Sequence, residues 1–226
     1  MNKTKSYPTL KFFRLLKCIF LECREVKCSF LLVMFRVVYY RFRNLKVISS
    51  NRVNISGCRG VETVEYLRVG MNSIGFMNHY DRTYINVQGG ALNVLGRFSI
   101  GKGCRIYVGN NATITFTSGF INPNCQFTIL HSLSVGKKCA ISWGCQFLDD
   151  DLHHIDYDGK VERKAGIEVG NHVLIGSNVT VLKGAVIPDG SIVAAGSLVT
   201  YAFSEPNTMI AGVPAKVIKH DVSWDS

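Results

Sequence analysis

From Val169 onward, one aliphatic residue recurs at every sixth position: Val169, Ile175, Val181, Ile187, Val193 and Val199. Four positions after the first five stand Val173, Val179, Ala185, Ser191 and Ser197, all of modest size. Gly170, Gly176, Gly184, Gly190 and Gly196 fall around the intervening turns. The same period recurs upstream with slips of phase, in Val94–Ile100–Ile106, Ile121–Phe127–Leu133 and Val135–Ile141–Phe147. A six-residue period does not match a helix, and plain strand alternation would not demand an aliphatic only at every sixth residue. It fits a short strand, a tight corner and the next strand, with three sides closing one coil of a triangular prism. The aliphatic residue points at the axis, the small residue sits at the crowded corner, and Gly or Asn supplies unusual corner torsions. Cys104, Cys125, Cys139 and Cys145 each lie four residues after an axial Ile or Val, so they read as small buried packing residues.

Two regions stand outside the period. Residues 1–46 read as a basic helical segment, with Leu15, Leu16, Ile19 and Phe20 at helical spacing. Residues 47–93 read as irregular strands with turns at Ser56–Gly57 and Gly89–Gly90, and belong with the repeat body, 47–226. Inside that body a polar insertion, residues 149–166, separates two well-phased stretches, and the chain leaves the period again at Tyr201. A loop thrown out from a rigid scaffold is where function is expected.

The net charge of +10 is uneven along the chain. Residues 1–46 hold eleven Lys/Arg against Glu22 and Glu25, 11 − 2 = +9, which leaves (26 − 11) − (16 − 2) = +1 for the remainder. The charge therefore points to the segment and not to a nucleic-acid-binding body, and no base-reading module follows it. The segment reads either as a helical cap over the open end of the prism or as a peripheral contact with an anionic membrane face, and the two are compatible. The run Ser29–Tyr40, broken by Arg36, is too short to span a bilayer, which takes ~20 apolar residues. Eight cysteines without CxxC spacing read as reduced thiols of a cytoplasmic protein.

The insertion opens Asp149-Asp150-Asp151-Leu152-His153-His154-Ile155, preceded by Ile141-Ser142-Trp143-Gly144. The final coils carry VLIGSNVTVLKGAVIPDGSIVAAGSLVT and then AGVPAKVIK. Together these resemble the hexapeptide-repeat acyltransferase family, of the bacterial polysaccharide O-acetyltransferase type. The resemblance covers about Val94–Lys219 and is densest over Val169–Lys219. It implies an all-β, left-handed parallel β-helix behind a short N-terminal helical segment. It also implies acetyl-CoA as donor, a glycan or sugar hydroxyl as acceptor, a homotrimer, and no metal. On the D-x-D-x-H-x-I pattern, His153 is the implied general base and Asp149 and Asp151 the two acids. On the donor side the resemblance implies Ser177, Ala195, Thr200, Lys216 and Lys219. The sequence departs from the family at Leu174, where a Trp commonly precedes the Ile-Gly. The residues fit that chemistry: imidazole suits proton transfer near neutral pH, small residues admit an extended pantetheine arm, and lysines meet phosphates.

The expected function is O-acetylation of a surface glycan: O-antigen, capsule or exopolysaccharide. Alternatives are an acetyltransferase of a small sugar or antibiotic, a γ-carbonic-anhydrase-like metal enzyme, and a non-catalytic binding scaffold. The metal enzyme needs two spaced histidines and a third from a neighbouring face; the chain offers His131, the adjacent pair His153–His154, and His172. Adjacent residues on extended backbone point apart.

Overall fold

The computed structural model describes residues 8–72, 74, 75, 78, 80–153, 158, 159 and 164–225, with side chains described from residue 13. Its strands form three sheets of nine, seven and six strands, here A, B and C. The chain visits them in strict rotation, A to B to C, so each coil lays one strand on each face of a prism. All neighbouring strands are parallel except the last pair, Met209–Gly212 with Ala215–Lys219. The coil is therefore a parallel β-helix.

The six-residue ladder maps onto this rotation. Val169, Ile175 and Val181 lie on C, A and B, and Ile187, Val193 and Val199 repeat the circuit. Ile175 pairs with Val193, 193 − 175 = 18 residues on, which is three sides of six. Earlier coils are longer: Ile121 pairs with Ile141 at 141 − 121 = 20, and Val69 with Ile100 at 100 − 69 = 31. The extra residues leave at corners, so the strands stay in register while the period slips. Val69, Ile100, Ile121, Ile141, Ile175, Val193 and Ile210 stack in one unbroken column of sheet A. Mid-prism, the axis is filled by rings: Phe98 stacks on Phe116 at 4.4 Å and Phe127 on Phe147 at 4.6 Å.

Corners follow the same economy of space. Gly144 has φ +69°, and a Cβ there would meet Asn178 Oδ1 at 2.4 Å, so the corner admits only glycine. Cys104, Cys125 and Cys145 are buried at the corner from A to B, and Cys139 at the corner from C to A. Their thiols donate to carbonyls of the chain, Cys145 to Gly176 O at 3.1 Å and Cys125 to Ser142 O at 3.0 Å. Contact with Cys125, then burial, pushes the Cys145 thiol above the ordinary range, so it stays protonated and inert.

Residues 1–46 contain helix α1 (Pro8–Glu25) and helix α2 (Phe30–Arg41), the latter capped by the Ser29 hydroxyl. Both roles of a cover are present. Tyr40 and Leu45 join the axial core at its N-terminal end. The helices also lie on the outer side of sheet A, where Ile19, Cys23, Val33, Ile48 and Met71 make a second, smaller core. Polar contacts fix them: Glu22 pairs with Arg68, and Arg36 donates to Ser49 Oγ, Tyr40 OH and Val53 O at 2.7–2.8 Å. Lys102 Nζ is buried and donates to Val26 O at 2.8 Å. Residues 47–93, whose register the period alone does not give, are the first coils of the same three sheets. No helix among the described residues is long and apolar enough to cross a membrane.

Candidate active site

The insertion leaves sheet B after Gln146–Leu148 and returns to sheet C at Ile167–Val169, so it stands on the corner between B and C. Its base is rigid. Asp149 is fully buried, and its carboxylate accepts three backbone N–H groups of the coil below: Leu130 at 2.7 Å, His131 at 2.8 Å and Ser132 at 2.7 Å. A carboxylate so held spends its lone pairs on the corner itself. On the return, Gly166 O accepts from Gly184 N at 2.7 Å.

Asp151 turns the other way. Its Oδ2 meets Lys183 Nζ at 2.6 Å, on the coil above. The start of the insertion is thus anchored to the coil below by Asp149 and to the coil above by Asp151, and Leu152 (φ +61°) and His153, which follow, are exposed. The His153 ring has no hydrogen bond or ion pair with another described residue. His154 and Ile155 lie outside the described residues. The two acids of the motif thus bond to neighbouring coils, and neither touches the His153 ring.

A second pair sits at the loop base. His131 Nε2 is 2.8 Å from Asp150 Oδ2, and Asp150 Oδ1 also accepts from Leu152 N at 2.6 Å. The His131 contact, then the Leu152 amide, holds the Asp150 carboxyl below the usual carboxylate range. Sequence reasoning placed no weight on this pair. The signal was present in the register: Phe127 pairs with Phe147, so the residues just beyond each must share one corner.

The donor-side residues fall on two edges of sheet B. Ser177 and Ala195 stand on successive coils at the corner from A to B, where Ser177 O accepts from Gly196 N at 2.9 Å. A Cβ on Gly176 would meet Ala195 N at 2.6 Å, so backbone meets backbone there; around Gly196 there is open space. The corner at these two coils carries Gly176, Ser177, Ala194, Ala195, Gly196 and Ser197, all small residues. Lys216 and Lys219 are exposed on the final strand, Ala215–Lys219, beside this end of the prism. Thr200 lies on the other edge, past Leu198–Val199, on the corner that carries Lys183 and the insertion. Leu174 faces outward on sheet A between Ala140 and Ile192. Trp143 belongs to the corner from A to B as well, and its Nε1 donates to Ile74 O at 3.0 Å.

Among the described residues no three His, Cys, Asp or Glu could hold a metal ion. His131 is paired with Asp150, while His172 stacks on Trp224 at 4.4 Å, at the corner from C to A.

Three parallel faces whose last coils have six-residue sides, with a polar insertion between Leu148 and Ile167, define a hexapeptide-repeat protein with a left-handed β-helix. No family model matches the chain. An uncharacterized 24.8 kDa protein in the cps region of Klebsiella pneumoniae is 38% identical over 206 residues, covering 90% of this chain and 92% of that protein. The chain belongs to the same family as this Klebsiella protein. Among solved structures, the polysialic acid O-acetyltransferase OatWY shares the fold at a TM-score of 0.57, with 22% identity over 81% of this chain and 88% of that one. A point mutant of AntD, an N-acyltransferase from Bacillus cereus in complex with dTDP and coenzyme A, shares it at 0.50, with 14% identity over 80% and 87%.

Proposed function

We propose that this protein is an acetyl-CoA-dependent O-acetyltransferase that modifies a sugar hydroxyl of a surface glycan, with His153 as general base. The observation that carries the reading is the insertion itself. Buried Asp149 and the Asp151–Lys183 pair anchor the start of a polar insertion that presents one exposed imidazole, His153. The relatives support the chemistry: one solved neighbour is an O-acetyltransferase of polysialic acid, another binds coenzyme A and dTDP, and the Klebsiella relative is from a cps region.

Each residue then has a task. His153 accepts the proton of the acceptor hydroxyl at a ring nitrogen, a role that contributes roughly 10²–10⁴-fold to rate. The small corner at Ser177 and Ala195 accommodates the pantetheine arm, Lys216 and Lys219 meet the donor's phosphates, and Thr200 lines the far edge. The donor supplies the acyl group already activated as a thioester. Leu174 offers no aromatic face to it. Within one chain, His153 and the Ser177–Ala195 corner lie on opposite edges of sheet B, ~10 Å of strand apart. A complete site on this reading takes its donor corner from one copy and its His153 from the next, which supports a homotrimer with three equivalent clefts. The protein works in the cytoplasm, where glycan precursors and acetyl-CoA meet.

The test follows free-thiol release from acetyl-CoA with a panel of bacterial glycans, for wild type, His153→Ala and His131→Ala. Glycan-dependent release that falls ~10²-fold or more in His153→Ala, with coenzyme A still bound, supports the assignment. Release that survives His153→Ala but is lost in His131→Ala moves the base to the His131–Asp150 pair. Absence of coenzyme A binding in the wild type overturns the transferase reading and favours a binding scaffold.

A further inference from the structure

The outer face of α2 has no partner among the described residues. Leu31, Leu32, Phe35, Val38, Tyr39 and Phe42 fall within one arc of the helix, and Leu31, Phe35 and Phe42 are 78%, 70% and 87% exposed. The opposite face is fully used. Val33 and Tyr40 are buried, and Arg36 is locked by three hydrogen bonds. This orientation is therefore set by packing, and the stripe cannot roll inward. A contiguous row of large exposed apolar side chains marks an interaction surface.

Charge identifies the occupant. Arg24 and Lys27 at the turn between the helices, and Arg41 and Arg43 after the stripe, are exposed. The Arg43 guanidinium lies over the Tyr39 ring at 4.9 Å, at the rim of the stripe. Of the two acids in this segment, Glu22 is committed to Arg68, which leaves only Glu25. An apolar row with a cationic rim matches a lipid surface whose acyl region takes the rings and whose anionic headgroups take the arginines. A second copy of the same face would set like charges against each other. At ~18 Å, α2 is too short to cross the ~30 Å hydrocarbon layer, so it would lie in the interface plane.

We propose that α2 docks the protein on an anionic bilayer, inserting Leu31, Phe35 and Phe42 below the headgroups with Arg41 and Arg43 at phosphate level. The insertion bearing His153 stands four coils away, from the strand Val53–Ser56 to Gln146–Leu148, or ~19 Å along the prism axis. Docking would thus leave the candidate site clear of the lipid yet within reach of a membrane-borne acceptor.

Co-flotation of the full chain with vesicles tests this. Wild type should float with phosphatidylglycerol–phosphatidylethanolamine vesicles and not with phosphatidylcholine alone. The triple variant Leu31→Ser/Phe35→Ser/Phe42→Ser should bind at least about tenfold more weakly, and Arg41→Ser/Arg43→Ser should bind more weakly and lose most of its salt dependence. All five positions are exposed, so the fold should survive. Wild type that stays with the soluble fraction overturns the proposal, as does equal binding to neutral vesicles or a triple variant that floats like wild type. A triple variant of lower mass in sedimentation velocity also overturns it, by assigning the stripe to a contact between copies.

Discussion

The chain holds itself together with two apolar cores, an axial column and a helix-covered patch, and they differ in who supplies the residues. The column takes inward positions from successive sides, so Ile100, Ile121, Ile141 and Ile175 each pack on the coil above and below. The patch joins helix residues Ile19, Cys23 and Val33 to outward-facing Ile48 and to Met71. A defect in the column is shared by neighbouring coils, because parallel sheets and axis are one continuous structure. A defect in the patch loosens the helices and leaves the prism standing. Depth in the column, and not polarity, should therefore rank the cost of a substitution.

The largest effect is expected at Phe127, which stacks on Phe147 and meets Phe116 edge-on at 6.2 Å. Phe127→Ala should cost about 3–5 kcal/mol in urea unfolding, as one cooperative transition. A split transition would mean that the column is not a shared unit. Asp149 sharpens the point because it is polar. Its buried carboxylate accepts from three part-buried backbone amides, so Asp149→Ala should cost about 2–3 kcal/mol and also lower acetyl transfer by misplacing the start of the loop. A loss well under 1 kcal/mol would show that water replaces the carboxylate, and depth would no longer be the ranking variable. Ile48→Ala breaks the patch alone. About 2 kcal/mol is expected, seen as faster protease cleavage within residues 1–46 while the 47–226 body resists.

The same contrast decides what could be read from the sequence. The last two coils were legible because each side is six residues long and every inward site is aliphatic, from Val169 to Val199. The first coils were not, since Val69 and Ile100 stack although 31 residues separate them, and a period search sees only the spacing. Ile48 was hidden for a related reason: an apolar residue on an outward position is explained only by the helices that cover it. At the insertion, the motif singled out Asp149, Asp151 and His153 and treated the two acids alike. Burial separates them, with Asp149 inside the corner and Asp151 reaching to Lys183. The His131–Asp150 pair joins residues 150 − 131 = 19 apart through coil stacking, which no local motif records.

That pair supplies the smallest expected effect and the other end of the comparison, since it occupies the same corner as Asp149 but at the surface. The His131 contact depresses the Asp150 carboxyl in the folded state. A group with a lowered folded pKa adds stability above its unfolded value, about 4 for aspartate, and that stability is lost as pH falls through the lower folded value. His131→Ala should thus destabilise the fold slightly at neutral pH, by under about 1 kcal/mol in thermal unfolding because the pair is solvent-screened. The gap to wild type should narrow as the solution is acidified below about pH 4. If the gap is instead unchanged under acid, His131 stabilises the corner by packing, and the charge on Asp150 plays no part in holding it.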